Sequence, residues 1–91
     1  SAEQNYFVHF AMRYPVHKIL FPVLGFYFIF EKVEDVIYKE TKDKRPLSSM
    51  LTCQKWMFEC YARLDEFDLC NGVLTSMKSV LTIKVINSII I

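Results

Sequence analysis

ILFPVLGFYFIF, residues Ile19–Phe30, contains no charged side chain, one proline and four phenylalanines. A membrane-spanning helix needs about 20 apolar residues, whereas a run of about 10–14 is more often a buried helix. Lys18 precedes this stretch and Glu31 follows it, so charged residues bound the run on both sides. The stretch therefore favours a helix of a folded domain, and insertion into a membrane stays an alternative.

A first helix is predicted from Pro22 to Thr41. Proline suits the first position of a helix, because the N–H group that it lacks has no partner there. The polar run Lys42–Pro46 predicts that the helix ends before it. Apolar residues recur at spacings of three and four, the period of one helix side: Val23, Phe26, Phe30, Val33 and Ile37.

A second helix is predicted from Ser48 to Cys70. The hydroxyl of Ser48 or Ser49 can accept a hydrogen bond at the helix start. The pair Asn71-Gly72 follows the helix, and glycine is common just past a helix end. The apolar stripe of this helix comprises Met50, Cys53, Met57, Cys60, Leu64 and Phe67.

The two ends of the chain are ambiguous. Residues Tyr6–Tyr14 fit a helix and a strand about equally well. Residues Val73–Ile91 begin with a helical pattern, but eight of the twelve residues from Val80 onward are β-branched, which favours a strand. We favour helices at both ends, because an isolated two-stranded hairpin is marginally stable in water.

The predicted fold is a small all-α bundle of about four helical segments. The connection Lys42–Leu47 between the two central helices is short, which predicts that they form an antiparallel pair. An α+β fold, with the terminal segments paired as strands, is the alternative. The chain of 91 residues suits one domain, and its start at Ser1-Ala2 instead of methionine indicates that residues 1–91 are excised from a longer protein.

The apolar content exceeds what one small domain needs to hide. Hydrophobic residues make up 53% of the chain, and both predicted helices carry apolar residues opposite their stripes. A surface helix of a small monomer has one such side. We therefore predict a non-catalytic protein–protein interaction module, a homodimerisation or adaptor domain, which binds a protein partner or a second copy of itself. The predicted partner-binding residues are Phe21, Leu24, Phe28, Leu51, Trp56, Phe58 and Leu69.

Other partners are less compatible with the sequence. The alternative function is a membrane-associated segment that inserts residues Ile19–Phe30, together with the apolar tail Ile83–Ile91. The net charge of +1 gives no strongly basic face, which is the usual footprint of a protein that binds nucleic acid. No nucleic-acid partner is predicted.

Residues that could carry chemistry are few. Cys53 and Cys60 are seven residues apart on one apolar stripe, which is typical of core packing and not of a zinc site. Cys70, at the predicted helix end, is expected to be the exposed thiol. We predict no enzyme activity, no metal and no cofactor. Three cysteines without a CxxC pair favour an intracellular, reducing compartment, cytoplasmic or nuclear.

Overall fold

The computed structural model describes the backbone of residues 16–90 and the side chains of residues 20–89. This part of the chain contains no strand, so the predicted all-α class is confirmed and the α+β alternative is not supported. The segment predicted at Tyr6–Tyr14 lies outside the described residues. The described helices are α1 (Val16–Thr41), α2 (Arg45–Arg63) and α3 (Phe67–Ile90).

Helix α1 begins before the proline that was predicted to start it. Pro22 lies inside the helix, at its seventh position, so the prediction of a helix start at Pro22 is wrong. A proline there removes one backbone hydrogen bond. Leu20, two residues before it, is only 6% exposed and packs against α2, and this packing favours continuing the helix through the proline. The end at Thr41 was predicted correctly.

Helix α2 begins three residues before the predicted start at Ser48. Pro46 occupies its first turn, and a carboxylate oxygen of Asp43 accepts the backbone N–H of Arg45 at 3.0 Å. The Arg45 guanidinium also donates hydrogen bonds to this carboxylate and lowers the pKa of Asp43 to about 2. The Ser48 hydroxyl does not cap the helix and instead accepts a hydrogen bond from the Lys84 ammonium at 2.9 Å.

The predicted second helix is divided in two. Helix α2 ends at Arg63, and Asp65 adopts a positive φ of 59°, a conformation that Asp tolerates better than most residues. The Glu66 N–H donates to the Tyr61 carbonyl at 2.9 Å and closes the turn. Helix α3 then begins at Phe67, so the predicted continuation to Cys70 is wrong. The Asn71-Gly72 pair lies inside α3 and does not end a helix.

Helix α2 lies between α1 and α3 and packs against both. No Cα atom of α1 comes within 8 Å of one in α3, and α2 supplies half of the buried apolar residues, more than either of its neighbours. Five members of the predicted α2 stripe are buried, whereas Phe67 is 63% exposed because it starts a new helix. The buried apolar residues are Leu20, Leu47, Met50, Cys53, Met57, Cys60, Leu64, Cys70, Val73 and Val80.

Two clusters join the helices at opposite ends of α2. Near the start of α1, Leu20 packs with Cys60 and Leu64. Near the start of α2, Leu47 and Met50 pack with Val80 of α3, and Tyr38 of α1 covers them. The Asn87 amide donates to the Tyr38 hydroxyl at 3.4 Å, so side chains bridge α1 and α3 at this end.

Candidate interaction surfaces

The most regular apolar stripe of α1 faces away from α2. Its side chains are between 40% and 60% exposed, although their spacing of three and four residues is that of a core face. The side of α1 that packs on α2 instead presents Leu20, Leu24, Tyr27 and Tyr38. We call the exposed set the outer stripe: Phe26, Ile29, Phe30, Val33, Val36 and Ile37.

The predicted partner-binding residues of α1 do not lie together. Phe21 and Leu24 are half-buried and pack against the cluster of Leu20, Cys60 and Leu64. Phe28 is 48% exposed and lies on a different side of the helix from the outer stripe, at the edge of a cleft. The structure therefore places two of these three residues against the core.

The predicted residues of α2 and α3 are also spread over several sides of the molecule. Leu51 is half-buried against the cluster around Leu47, and Phe58 is half-buried. Trp56 is exposed and contacts the Tyr27 ring, with 5.0 Å between ring centroids. Leu69 of α3 lines the same cleft as Phe28, and the two side chains are equally exposed.

A cleft of about 220 Å³ separates α1 from α3 above the middle of α2. Gln54 lies at its base and is 2% exposed, and its Oε1 atom has no hydrogen-bond partner among the described residues. A buried polar oxygen without a partner costs free energy. The cleft is lined by Phe28, Glu31, Lys32, Gln54, Met57, Tyr61, Leu69, Gly72, Val73 and Ser76.

Sequence reasoning overlooked Gln54. The signal was available, because Gln54 lies four residues after Met50 and three before Met57 and so shares their helix side. A polar residue at such a position is a candidate for a special role, since buried polar groups are nearly always hydrogen-bonded.

Helix α3 carries a second exposed apolar surface. Of the described helices, only α3 is long and apolar enough to cross a membrane, over Phe67–Ile89, and 17% of its most apolar part is buried. Five of its hydroxyl groups donate to the carbonyl four residues earlier, as Thr82 does to Lys78 at 2.8 Å. These internal hydrogen bonds reduce the cost of placing the hydroxyls in apolar surroundings.

All three cysteines are free and buried. Cys53 and Cys60 pack in the core, as predicted, but Cys70 is 4% exposed and not the exposed thiol that was expected. Helix α3 turns Cys70 towards α2, where its thiol donates to the Phe58 carbonyl at 3.6 Å.

Burial raises the pKa of the Cys53 and Cys60 thiols. We therefore expect all three thiols to react slowly with a thiol reagent at about pH 8, and at the rate of free cysteine once urea unfolds the chain. The neutral thiols stabilise the folded chain below pH ~8.5, which is the pKa of a cysteine in the unfolded chain. This stabilisation is lost as the pH rises through the higher pKa of the buried thiols. Labelling kinetics measure the protection, and equal rates with and without urea would contradict it.

The described side chains contain no group of three or more His, Cys, Asp or Glu residues that could hold a metal ion. Both histidines of the chain, His9 and His17, lie outside the described side chains. Comparison of the chain with protein families, with curated proteins and with solved structures gave no match.

Proposed function

We propose that this chain is a non-catalytic association module that binds a protein through the outer stripe of α1. One observation carries the proposal: six apolar side chains with the spacing of a core face are each at least 40% exposed. Monomeric soluble proteins rarely expose large contiguous apolar patches, and larger ones mark interaction sites. Full burial of one such side chain contributes ~1.5–3 kcal/mol, so six half-exposed side chains supply several kcal/mol for association.

The predicted partner-binding residues that are exposed lie on other sides of the molecule than the outer stripe. Trp56 and Tyr27 form an aromatic pair beside α1, and aromatic residues carry much of the binding energy in interfaces. Phe28 and Leu69 offer a second, smaller contact at the cleft. Under this proposal the outer stripe is the main contact, and these residues offer separate, smaller contacts.

The proposal includes an antiparallel orientation of α1 and α2. The contacts of Leu20 with Cys60 and Leu64 join the start of α1 to the end of α2, and Tyr38 packs near the start of α2. Both contacts support an antiparallel pair. Three buried free thiols support the proposed reducing compartment, because such thiols persist where disulfides do not form.

Substitution of Phe30 by Asp should abolish association. The charge would lie at the centre of the outer stripe and would have to be desolvated on binding. We expect light scattering to report the 10.8 kDa mass of one chain, while circular dichroism retains the helical signal because Phe30 is 57% exposed.

The matched control is Val85→Asp, which places the same charge at a 56% exposed position of α3. It should leave the mass of the complex unchanged. If Phe30→Asp and wild type have the same mass and capture the same proteins, the proposal fails.

A second candidate function is membrane association through α3, favoured by its apolar length and small buried fraction. Insertion of the Ile19–Phe30 segment would have to break the packing of Leu20 and Leu24 on α2, whereas the exposed side of α3 needs no such change. The same two variants distinguish the candidates in liposome flotation. Under this function Val85→Asp, and not Phe30→Asp, would reduce flotation.

A further inference from the structure

We infer that the occupant of the outer stripe is the outer stripe of a second copy, packed in the antiparallel direction. This inference rests on the proposed function and specifies its partner. The stripe runs from Phe26 to Ile37, about 16 Å along α1, and contains no charged residue. A surface of this kind is complementary to itself, as a twofold-symmetric contact requires.

The available area is enough for a weak dimer. Aromatic side chains bury roughly 150–250 Å² each, so Phe26 and Phe30, which are 60% and 57% exposed, offer about 200–250 Å² between them. The four aliphatic side chains of the stripe add roughly as much again. Two copies would therefore bury about 800–1,000 Å² in total, close to the ~1,000 Å² that a specific interface needs.

The charge of Glu40 favours an antiparallel direction of packing. Glu40 is exposed and follows Ile37 by three residues, so it continues the line of the outer stripe. In a parallel dimer the two Glu40 carboxylates would face each other and repel. In an antiparallel dimer centred between Phe30 and Val33 they are roughly 25 Å apart, well beyond the screening length of about 8 Å at physiological salt. The chain's net charge of +1 adds little repulsion between copies.

The antiparallel register predicts which residues meet. Ile29 of one copy lies close to Val36 of the other, with an axial offset of about 3 Å. The axial offset between equivalent residues of the two copies is larger, about 8 Å for Ile29 and about 14 Å for Val36. A disulfide requires Cβ atoms about 3.5–4.5 Å apart, so only the mixed pair can form one.

The test uses two single variants, Ile29→Cys and Val36→Cys, at positions that are 58% and 57% exposed. An equimolar mixture under mild oxidation should yield a disulfide between the two variants, identified by peptide mass. Each variant alone should yield little. Wild type is the control for the buried native thiols and should not cross-link. Light scattering of wild type over a hundredfold concentration range should show a reversible rise in mass.

Three results would overturn the inference. Same-site disulfides in each variant alone would show a parallel dimer. A random distribution of disulfides would show collision without a defined interface. A wild-type mass of one chain at all concentrations would exclude a second copy as the partner. The proposed function would survive this result only if wild type captured another protein and Phe30→Asp did not.

Discussion

Substitution of Leu47 by Ala should lower the free energy of unfolding by about 2–5 kcal/mol, the usual cost of removing a large buried side chain. Leu47 of α2 is 1% exposed and packs with Met50 and with Val80 of α3, and Tyr38 of α1 packs against this cluster, which thus joins all three helices at one end of the molecule. A domain of this size has a total stability of roughly 5–13 kcal/mol. The substitution should therefore consume a large share of it and lower the melting temperature by about 10 °C or more.

Leu74→Ala is the matched control for this prediction, since it makes the same change at a helical position that is 38% exposed. We expect it to cost less than about 1 kcal/mol. Urea unfolding followed by circular dichroism measures both variants. Equal losses at Leu47 and Leu74 would show that the cluster around Leu47 does not hold the three helices together.

The packed face of α2 could be predicted from the sequence, and the packed face of α1 could not. On α2 the apolar stripe from Met50 to Leu64 is the buried side, because α2 lies between the other helices and its most apolar side enters the core. On α1 periodicity identified a helix, but Leu20 and Leu24 pack inward while Phe26 and Phe30 remain exposed. Hydrophobic periodicity identifies the apolar side of a helix. It does not indicate whether residues of the same chain or of another chain cover that side.

The predicted helix boundaries were wrong where local sequence signals were weaker than tertiary contacts. Asn71-Gly72 resembles a helix end, yet the chain turns earlier, at Asp65, without a glycine. The turn places Cys70 and Val73 against α2, and this burial outweighs the small intrinsic cost of a glycine inside a helix, about 1 kcal/mol. The same boundary explains why Cys70 is buried instead of exposed.

The cleft was not predictable from the sequence, because it depends on how far α1 and α3 stand apart. Phe28 and Leu69 were selected for their apolar character, and the structure places them on opposite walls of one cleft. Gln54 was not selected, although it lies at the base between them. Sequence spacing assigns a residue to a side of its own helix, but a site shared by three helices appears only after they pack.

Replacement of Gln54 by Met should raise the free energy of unfolding by about 1–3 kcal/mol. The Gln54 side chain is fully buried, and its Oε1 atom lacks a hydrogen-bond partner among the described residues. An unsatisfied buried polar group costs about 1–3 kcal/mol, and Met fills a similar volume without that oxygen, next to the apolar Met57 and Val73. Urea unfolding of the variant measures the gain.

Lys55→Met is the control, because Lys55 is the neighbouring residue on the same helix and is exposed. It should change the free energy of unfolding by no more than about 0.5 kcal/mol, which separates the effect of burial from any effect of Met on the helix itself. A loss of stability in Gln54→Met would contradict the prediction. It would mean that the contacts of the Gln54 side chain at the base of the cleft outweigh the cost of its unsatisfied Oε1 atom.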